Sequence, residues 1–373
     1  MKRTLMKTLG LIVNPIAGMG GKVGLKGTDG KDILETAILL GANPVAPARA
    51  ERFLLTLKPV NGKIDLFVGA GAMGEHEAEK VGLEFQVVGR RKRDTTADDT
   101  KQIAENMMKN GVTLIAFCGG DGTARDILDV VDSKTPVLGI PTGVKMHSAA
   151  FAVNPESAAR ITKGFLQSHM QLREVEIMDV DEQSFREGRL SARLYGYVLV
   201  PYEPRLIQGV KIATPMTEDE LRNQAALAIY VIEEMKPDVI YIVGPGTTTR
   251  TIADLLDQKK TLLGVDLFCN KSVIAHDVSE RKILERIQGR EAKVIVTPIG
   301  GQGFISGRGN QQISSFVIRQ VGIENIIVIA TKQKLTELTC LRVDTGDPDL
   351  DAQLRGYIRV VTDYREEHTM RIE

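Results

Sequence analysis

Cysteine is scarce in this chain: Cys118, Cys269 and Cys340 are the only three among 373 residues. Three thiols cannot all pair with one another and none sits in a Cys-x-x-Cys spacing, which argues against a disulfide framework and a zinc site and for a reducing compartment. Two of them fall in apolar, strand-like runs and read as core thiols. Net charge is absent as well, because 48 Lys and Arg balance 48 Asp and Glu. No global field then draws the chain to nucleic acid or to an anionic membrane. Long apolar runs are missing too. The first run, residues 9–13, is too short for a signal peptide and leads straight into Asn14-Pro15, and no segment is long enough to span a bilayer. These absences leave a cytoplasmic protein working on small molecules. There is no repeat at a solenoid period and no low-complexity segment, and a chain of 373 residues is expected to form two domains.

What the chain has is glycine at particular places. Cys118-Gly119-Gly120-Asp121-Gly122-Thr123 follows an apolar run at residues 113–117 and precedes the helical pattern Ala124, Ile127, Leu128, Val131. A strand, a turn and a helix start meet here. Gly119, Gly120 and Gly122 are expected to let the backbone approach a ligand closely and to adopt positive φ, while free N–H groups of the helix start point at whatever sits above. Such a turn seats a phosphate. A carboxylate within it repels phosphate unless it takes a proton or holds a metal, so Asp121 reads as chemistry; the plainer alternative is a helix cap. A second strand, turn and helix start follows over residues 136–152, with Gly139-Ile140-Pro141-Thr142-Gly143, Lys145, His147 and Ser148. Adjacent residues on a helix point in different directions, so His147 and Ser148 suit substrate contact or capping better than a nucleophile–base pair.

The organisation around these turns is α/β. Apolar runs at residues 9–13, 64–68, 85–88, 114–117 and 137–140 alternate with helical patterns. Between the third and fourth, Thr95-Thr96-Ala97-Asp98-Asp99 opens a helix with Ile103, Ala104, Met107 and Met108 on one face, and Asn110-Gly111 closes it. The expectation is a parallel, Rossmann-like nucleotide-binding domain over residues 1–170 and a substrate- or dinucleotide-binding domain over residues 171–373. The second begins with antiparallel runs at 175–180 and 194–200. It then alternates again: a helix from about 218 to 235, a strand at 239–243, Gly244-Pro245-Gly246-Thr247-Thr248-Thr249 opening a helix, and strands near 262–268, 294–297 and 326–330. Two lobes facing a cleft result, with ligands outside the carboxyl ends of the first-lobe strands.

The loop Asn14-Pro15-Ile16-Ala17-Gly18-Met19-Gly20-Gly21, together with the turns at 118–123 and 139–143, resembles the NAD kinase, diacylglycerol kinase and sphingosine kinase superfamily. Adding Gly71-Ala72-Met73-Gly74-Glu75 and the glycine-rich stretch 300–312 extends the resemblance over nearly the whole chain. It is then to one branch, the ATP- or polyphosphate-dependent NAD kinases related to acetoin-catabolism protein X. The resemblance implies Mg²⁺-assisted phosphoryl transfer from ATP or another polyphosphate to a nucleotide hydroxyl, with the 2′-OH of NAD the first candidate. A ribose hydroxyl is a weak nucleophile and needs a base, a role that falls to Asp121. Asn14, Gly18, Gly20, Gly21, Gly119, Gly120, Gly122, Thr123, Thr142, Gly143, Lys145 and His147 would surround the nucleotide. Gly71 and Gly74 would join the dinucleotide or donor cleft, and Gly246, Thr247 and Thr248 would enclose the ligand from the second lobe. Partners would be small nucleotides and further copies of the chain, not nucleic acid or membrane. One departure stands out: the Asn-Glu or Asn-Asp pair with which NAD kinases hold the dinucleotide occurs nowhere in the sequence.

Other readings of the same residues stay open. Gly69-x-Gly71-x-x-Gly74 is formally a dinucleotide fingerprint, and Arg90-Arg91-Lys92-Arg93 beyond the next strand would accept a ribose 2′-phosphate, which together describe an NADP-dependent oxidoreductase. Little helix room between Glu75 and Gly82 counts against it. The first loop is not a Walker A motif, since Val23 follows Gly21-Lys22 where Ser or Thr belongs. Asp266, at a strand end, is a further candidate for ribose or metal. A kinase of another hydroxyl, including a lipid, and a nucleotide-binding regulator without catalysis fit the same turns.

Overall fold

The computed structural model describes residues 8–25, 31–58, 64–131, 134–143, 146–167, 170–180, 192–208 and 217–373. Its first lobe runs β1 (Thr8–Val13), α1 (Lys31–Leu39), α2 (Ala46–Leu57), β2 (Asp65–Gly69), α3 (Glu75–Val81), β3 (Gln86–Val88), α4 (Ala97–Lys109), β4 (Leu114–Gly119), α5 (Asp121–Leu128), β5 (Val137–Pro141) and α6 (Pro155–Gln167). The strands form a parallel sheet in the order β3-β2-β1-β4-β5. In β1, Leu9, Leu11 and Val13 enter one core and Ile12 the other; in β4, Leu114, Ala116 and Cys118 are set against Ile115 and Phe117. Strands apolar on both faces belong in a sheet covered by helices on both sides. Helix α4 starts as its sequence dictates, with a capping box between Thr96 and Asp99, and buries Ile103, Ala104 and Met107. Gly10 makes room for it, since a Cβ there would lie 2.6 Å from the Met107 sulfur.

An antiparallel hairpin, β6 (Leu172–Val180) and β7 (Ala192–Pro201), follows; its connecting turn lies outside the described residues. Val175, Ile177, Val198 and Val200 on one face of the hairpin pack into the core of the first sheet.

The second lobe contains α7 (Glu218–Glu233), β8 (Ile240–Val243), α8 (Thr247–Leu255), β9 (Asp266–Cys269), β10 (Ser272–Ala275), α9 (Glu280–Ile287), β11 (Ala292–Val296), β12 (Phe304–Ser306), α10 (Ser315–Val321), β13 (Ile326–Ile329), α11 (Lys332–Thr336), β14 (Arg342–Val343), α12 (Pro348–Leu354), β15 (Gly356–Asp363) and β16 (Glu366–Ile372). Its described strands form a mixed sheet in the order β10-β9-β8-β11-β13-β15-β16, parallel from β8 to β15 and antiparallel at both edges, with β12 and β14 paired separately. Apolar clusters cover both faces. The protein is thus α/β, with a parallel amino-terminal sheet and a mixed second sheet. No helix among the described residues is long and apolar enough to cross a membrane.

Candidate active site

The chain reverses its direction of winding between β1 and β4, the central pair of the first sheet, and a crevice opens at their carboxyl ends. Both glycine turns leave from this crevice. Asn14 ties them together: its N–H donates to Cys118 O (2.9 Å) and its Nδ2 to Thr123 Oγ1 (3.0 Å), while its Oδ1 accepts the Ile16 N–H (3.3 Å). Gly18 has φ +83°, and a Cβ there would lie 2.2 Å from Thr142 O, so the first loop presses onto the end of β5. Thr142 N–H in turn donates to Gly119 O (3.2 Å), and a Cβ on Gly119 would meet Thr123 Oγ1 at 2.4 Å. Asn14, Gly18, Gly119, Thr123 and Thr142 are therefore neighbours.

The glycines achieve this differently from expectation. Positive φ is found at Gly18 and Gly24, not at Gly20, Gly21, Gly119, Gly120 or Gly122. Gly120 is extended (φ −120°) as the N-cap of α5, and Gly122 is an ordinary residue of that helix. Glycine at 119 is required by the closeness of Thr123, not by φ.

Asp121 is the first residue of α5 and is 7% exposed. Its Oδ2 accepts the His147 N–H at 2.7 Å and its Oδ1 the Ser148 N–H at 3.0 Å, and His147 Nδ1 lies 3.4 Å from Oδ2. One carboxylate thus pins the strap that leaves β5. The strap is not the expected helix start: Phe151 forms a bridge back to Gly139, whose missing Cβ leaves room for the Phe151 ring, and α6 begins only at Pro155. Lys145 lies outside the described residues.

Thr142 and Gly143 open into a cavity of about 750 Å³ between the lobes, which Gly18 also lines. Its far side carries Arg308, Gln311 and Asp344. Among the described residues, Lys22, Arg49, Arg52, Arg281 and Arg308 face only Glu280 and Asp344 around this space, so the cleft is cationic. At its floor the Asp344 carboxylate pairs with Arg49 of α2 and with Arg308 (3.1 Å). Burial pulls the Arg308 guanidinium down to about 10; Asp344 opposes the shift and Arg49 adds to it. For Arg49 the burial penalty is outweighed by Asp344, and its pKa is raised. The 300–312 stretch reaches across to the first lobe. Gln302 Nε2 donates to Met146 O (2.9 Å), Arg308 Nη2 to Val153 O (2.8 Å) and Gln311 Nε2 to Gly143 O (3.1 Å). Among the described residues, Thr142 Oγ1, Arg308 Nε and Gln311 Oε1 find no hydrogen-bond partner and are buried.

Other candidates lie elsewhere. Gly71 and Gly74 do not line the cleft; Gly71 N–H donates to Glu75 Oε2 (2.6 Å), which Arg91 Nε also contacts (2.9 Å). The Arg91 contact holds the Glu75 carboxyl at about 2, so an internal carboxylate sits where a fingerprint loop would receive pyrophosphate. Lys92 pairs with Asp99, leaving the basic run engaged in structure at two positions. Gly246 (φ +128°) caps α8, and Thr248 Oγ1 accepts from Lys334 Nζ (3.2 Å), which also reaches Thr297 Oγ1 (3.2 Å). This second-lobe turn, with Thr247 at the helix start, is likewise not part of the cleft wall. Asp266 is structural: fully buried, it accepts from the N–H groups of Thr261 (2.7 Å) and Asp277 (2.7 Å) and faces Lys260 (3.6 Å), whose ammonium burial lowers to about 8. Among the described residues no three His, Cys, Asp or Glu are grouped to hold a metal.

Residues 9–170 match the ATP-NAD kinase N-terminal domain and residues 238–372 the ATP-NAD kinase C-terminal domain. The chain belongs to the ATP-NAD kinase family, whose domains are those of a kinase. Two solved structures of a candidate diacylglycerol kinase from Bacillus anthracis str. Sterne are similar to 48% of it, at 16% and 18% identity with TM-scores of 0.27 and 0.26. The matches span 46% and 48% of those chains, about half their length. No curated protein matches the chain.

Proposed function

We propose that this protein transfers a phosphoryl group from ATP or another polyphosphate to a nucleotide hydroxyl, and that the 2′-OH of NAD is the acceptor. The observation that carries the reading is the cationic cleft at the carboxyl ends of β1 and β5, lined by Gly18, Thr142 and Gly143 and adjoining the β4–α5 turn that carries Asp121. In this reading residues 1–170 hold the nucleotide and residues 171–373 complete the substrate site. Arg49 and Arg308 balance charge on the phosphates, and the amino end of α5 adds its partial positive charge. Asp121 takes the proton of the acceptor hydroxyl as the new oxygen–phosphorus bond forms and the bond to the leaving ADP breaks. Asp121 Oδ1 accepts one backbone N–H and keeps a second lone pair for this task, while Oδ2 faces both the N–H and the Nδ1 of His147. A Mg²⁺ would come in on the phosphates, which suits a protein whose described residues form no clustered carboxylate cage, and would supply counter-charge to the transferring group.

The test is a matrix of donors (ATP, GTP, polyphosphate) against acceptors (NAD, NADH, unrelated hydroxyl compounds), with products separated by chromatography. Stoichiometric phosphorylated acceptor and shortened donor are expected, without oxidation or reduction of any cofactor. Hydride transfer, or binding of every nucleotide with turnover of none, would sink the proposal.

A further inference from the structure

The β6–β7 hairpin turns a second face away from the first-lobe core. Glu174, Glu176 and Tyr197 lie on it, and Glu176 stands directly opposite Tyr197 in the strand register. This face forms one wall of a cavity of about 460 Å³ whose other wall is second-lobe Gln302, Thr339 and Arg342. The cavity shares no lining residue with the cationic cleft, and its charge is of the other sign: Glu174, Glu176 and Glu337 outnumber Arg173 and Arg342. Phosphates have no reason to enter it. Its aromatic surface is Tyr197, 51% exposed, and Tyr202, whose ring carries the Arg173 guanidinium at 4.6 Å.

Gln208 supplies the specific feature. It lines this cavity, is 1% exposed, and its Nε2 donates to Ser148 O at 3.0 Å. A carbonyl can only accept, so the amide nitrogen is fixed toward Ser148 and Oε1 is the atom left over. That oxygen is buried with no donor among the described residues, and a buried acceptor of this kind costs stability unless something donates to it. The same Ser148 donates its N–H to Asp121, so one residue joins the Gln208 amide to the proposed base.

We propose that this cavity binds a planar, uncharged or cationic heteroaromatic group bearing an N–H donor, with Gln208 Oε1 as acceptor and Tyr197 as stacking surface. The exocyclic amine of adenine and the carboxamide of a pyridinium ring both have this chemistry. The inference rests on the nucleotide-kinase reading and adds to it the place where the acceptor's base is recognised, on the far side of Asp121 from the phosphates.

Calorimetric titration of the full chain with two phosphate-free probes, adenosine and nicotinamide riboside, tests it, with tripolyphosphate as control for the cationic cleft. At least one nucleoside is expected to bind, and Gln208→Met and Tyr197→Ala should each weaken it about tenfold while tripolyphosphate affinity stays within about twofold. The nucleoside that loses affinity identifies amine or carboxamide. Tyr197 is on an exposed face, so Tyr197→Ala decides the matter if Gln208→Met fails to fold. Binding of neither nucleoside, or equal binding to parent and variants, overturns the proposal. Variant-sensitive nucleoside binding by a chain that transfers no phosphoryl group would uphold the cavity and remove the kinase reading instead. Phosphoryl transfer with KM for the acceptor unchanged in Tyr197→Ala would do the reverse.

Discussion

Asp121 accepts a backbone N–H on each of its two oxygens, and this changes what an amide at that position does. Asn offers one acceptor and turns an NH₂ toward the other N–H, so Asp121→Asn does not behave as a harmless cap replacement. A loss of about 1–3 kcal/mol in urea-unfolding stability is expected from the buried donor left unsatisfied. If Asp121 is also the base, turnover falls by roughly 10²- to 10⁴-fold on top of this, measured below the variant's melting transition. A folded variant with near-parent turnover would leave Asp121 with its anchoring role alone. The residue itself was legible in the sequence, because a carboxylate in a glycine turn is conspicuous. Arg49 and Asp344 were not: 295 positions separate them and neither sits in a recognisable motif. Arg308 and Gln311 lay inside a glycine-rich stretch that drew attention only for its glycines.

At the scale of elements, the two kinds of glycine turn make opposite predictions. Gly18→Ala places a Cβ against Thr142 O from a left-handed backbone, so it should destabilise the fold by more than about 1 kcal/mol in thermal unfolding. Gly122→Ala, inside α5, should stabilise by up to about 1 kcal/mol and yet weaken ATP binding if the donor approaches that turn. Loss of stability in Gly122→Ala would return that glycine to a purely structural role. Strands β1, β4, β5 and β8 were plain in the sequence because both faces are apolar. The carboxy-terminal hairpin of β15 and β16 was missed, since an edge strand such as Glu366–Ile372 is exposed at most positions and shows only Met370 and Ile372 to the core. Helices α9 to α12 are five to eight residues long, too short for periodicity to declare them.

Among the described residues, no strand of one sheet pairs with a strand of the other, and the lobes meet through side chains and through the backbone hydrogen bond from Glu280 N–H to Lys22 O (2.9 Å). Asp344 is the shared partner of a guanidinium on each side. Asp344→Asn leaves two buried cations facing each other without the carboxylate they share, and a loss of about 3–5 kcal/mol is expected, beyond what Arg52→Ala at the more exposed Glu156 pair would cost. Small-angle scattering should also show a larger radius of gyration for Asp344→Asn than for Arg52→Ala. Equal stability and size for parent and Asp344→Asn would show that the lobes are held by other contacts.

The separation of Arg49 from Asp344 by 295 positions has a consequence for how the protein is made. Every strand of the parallel sheet precedes residue 142, so that sheet has all its partners while the ribosome is still adding the second lobe. During that interval the Arg49 guanidinium has no carboxylate opposite it, and the cationic face stands open to the nucleotides and polyanions of the surrounding solution. The cleft becomes a defined site only when the second-lobe segment that carries Asp344 arrives, so a nascent chain truncated before Asp344 should carry an ordered first lobe and half of a binding site.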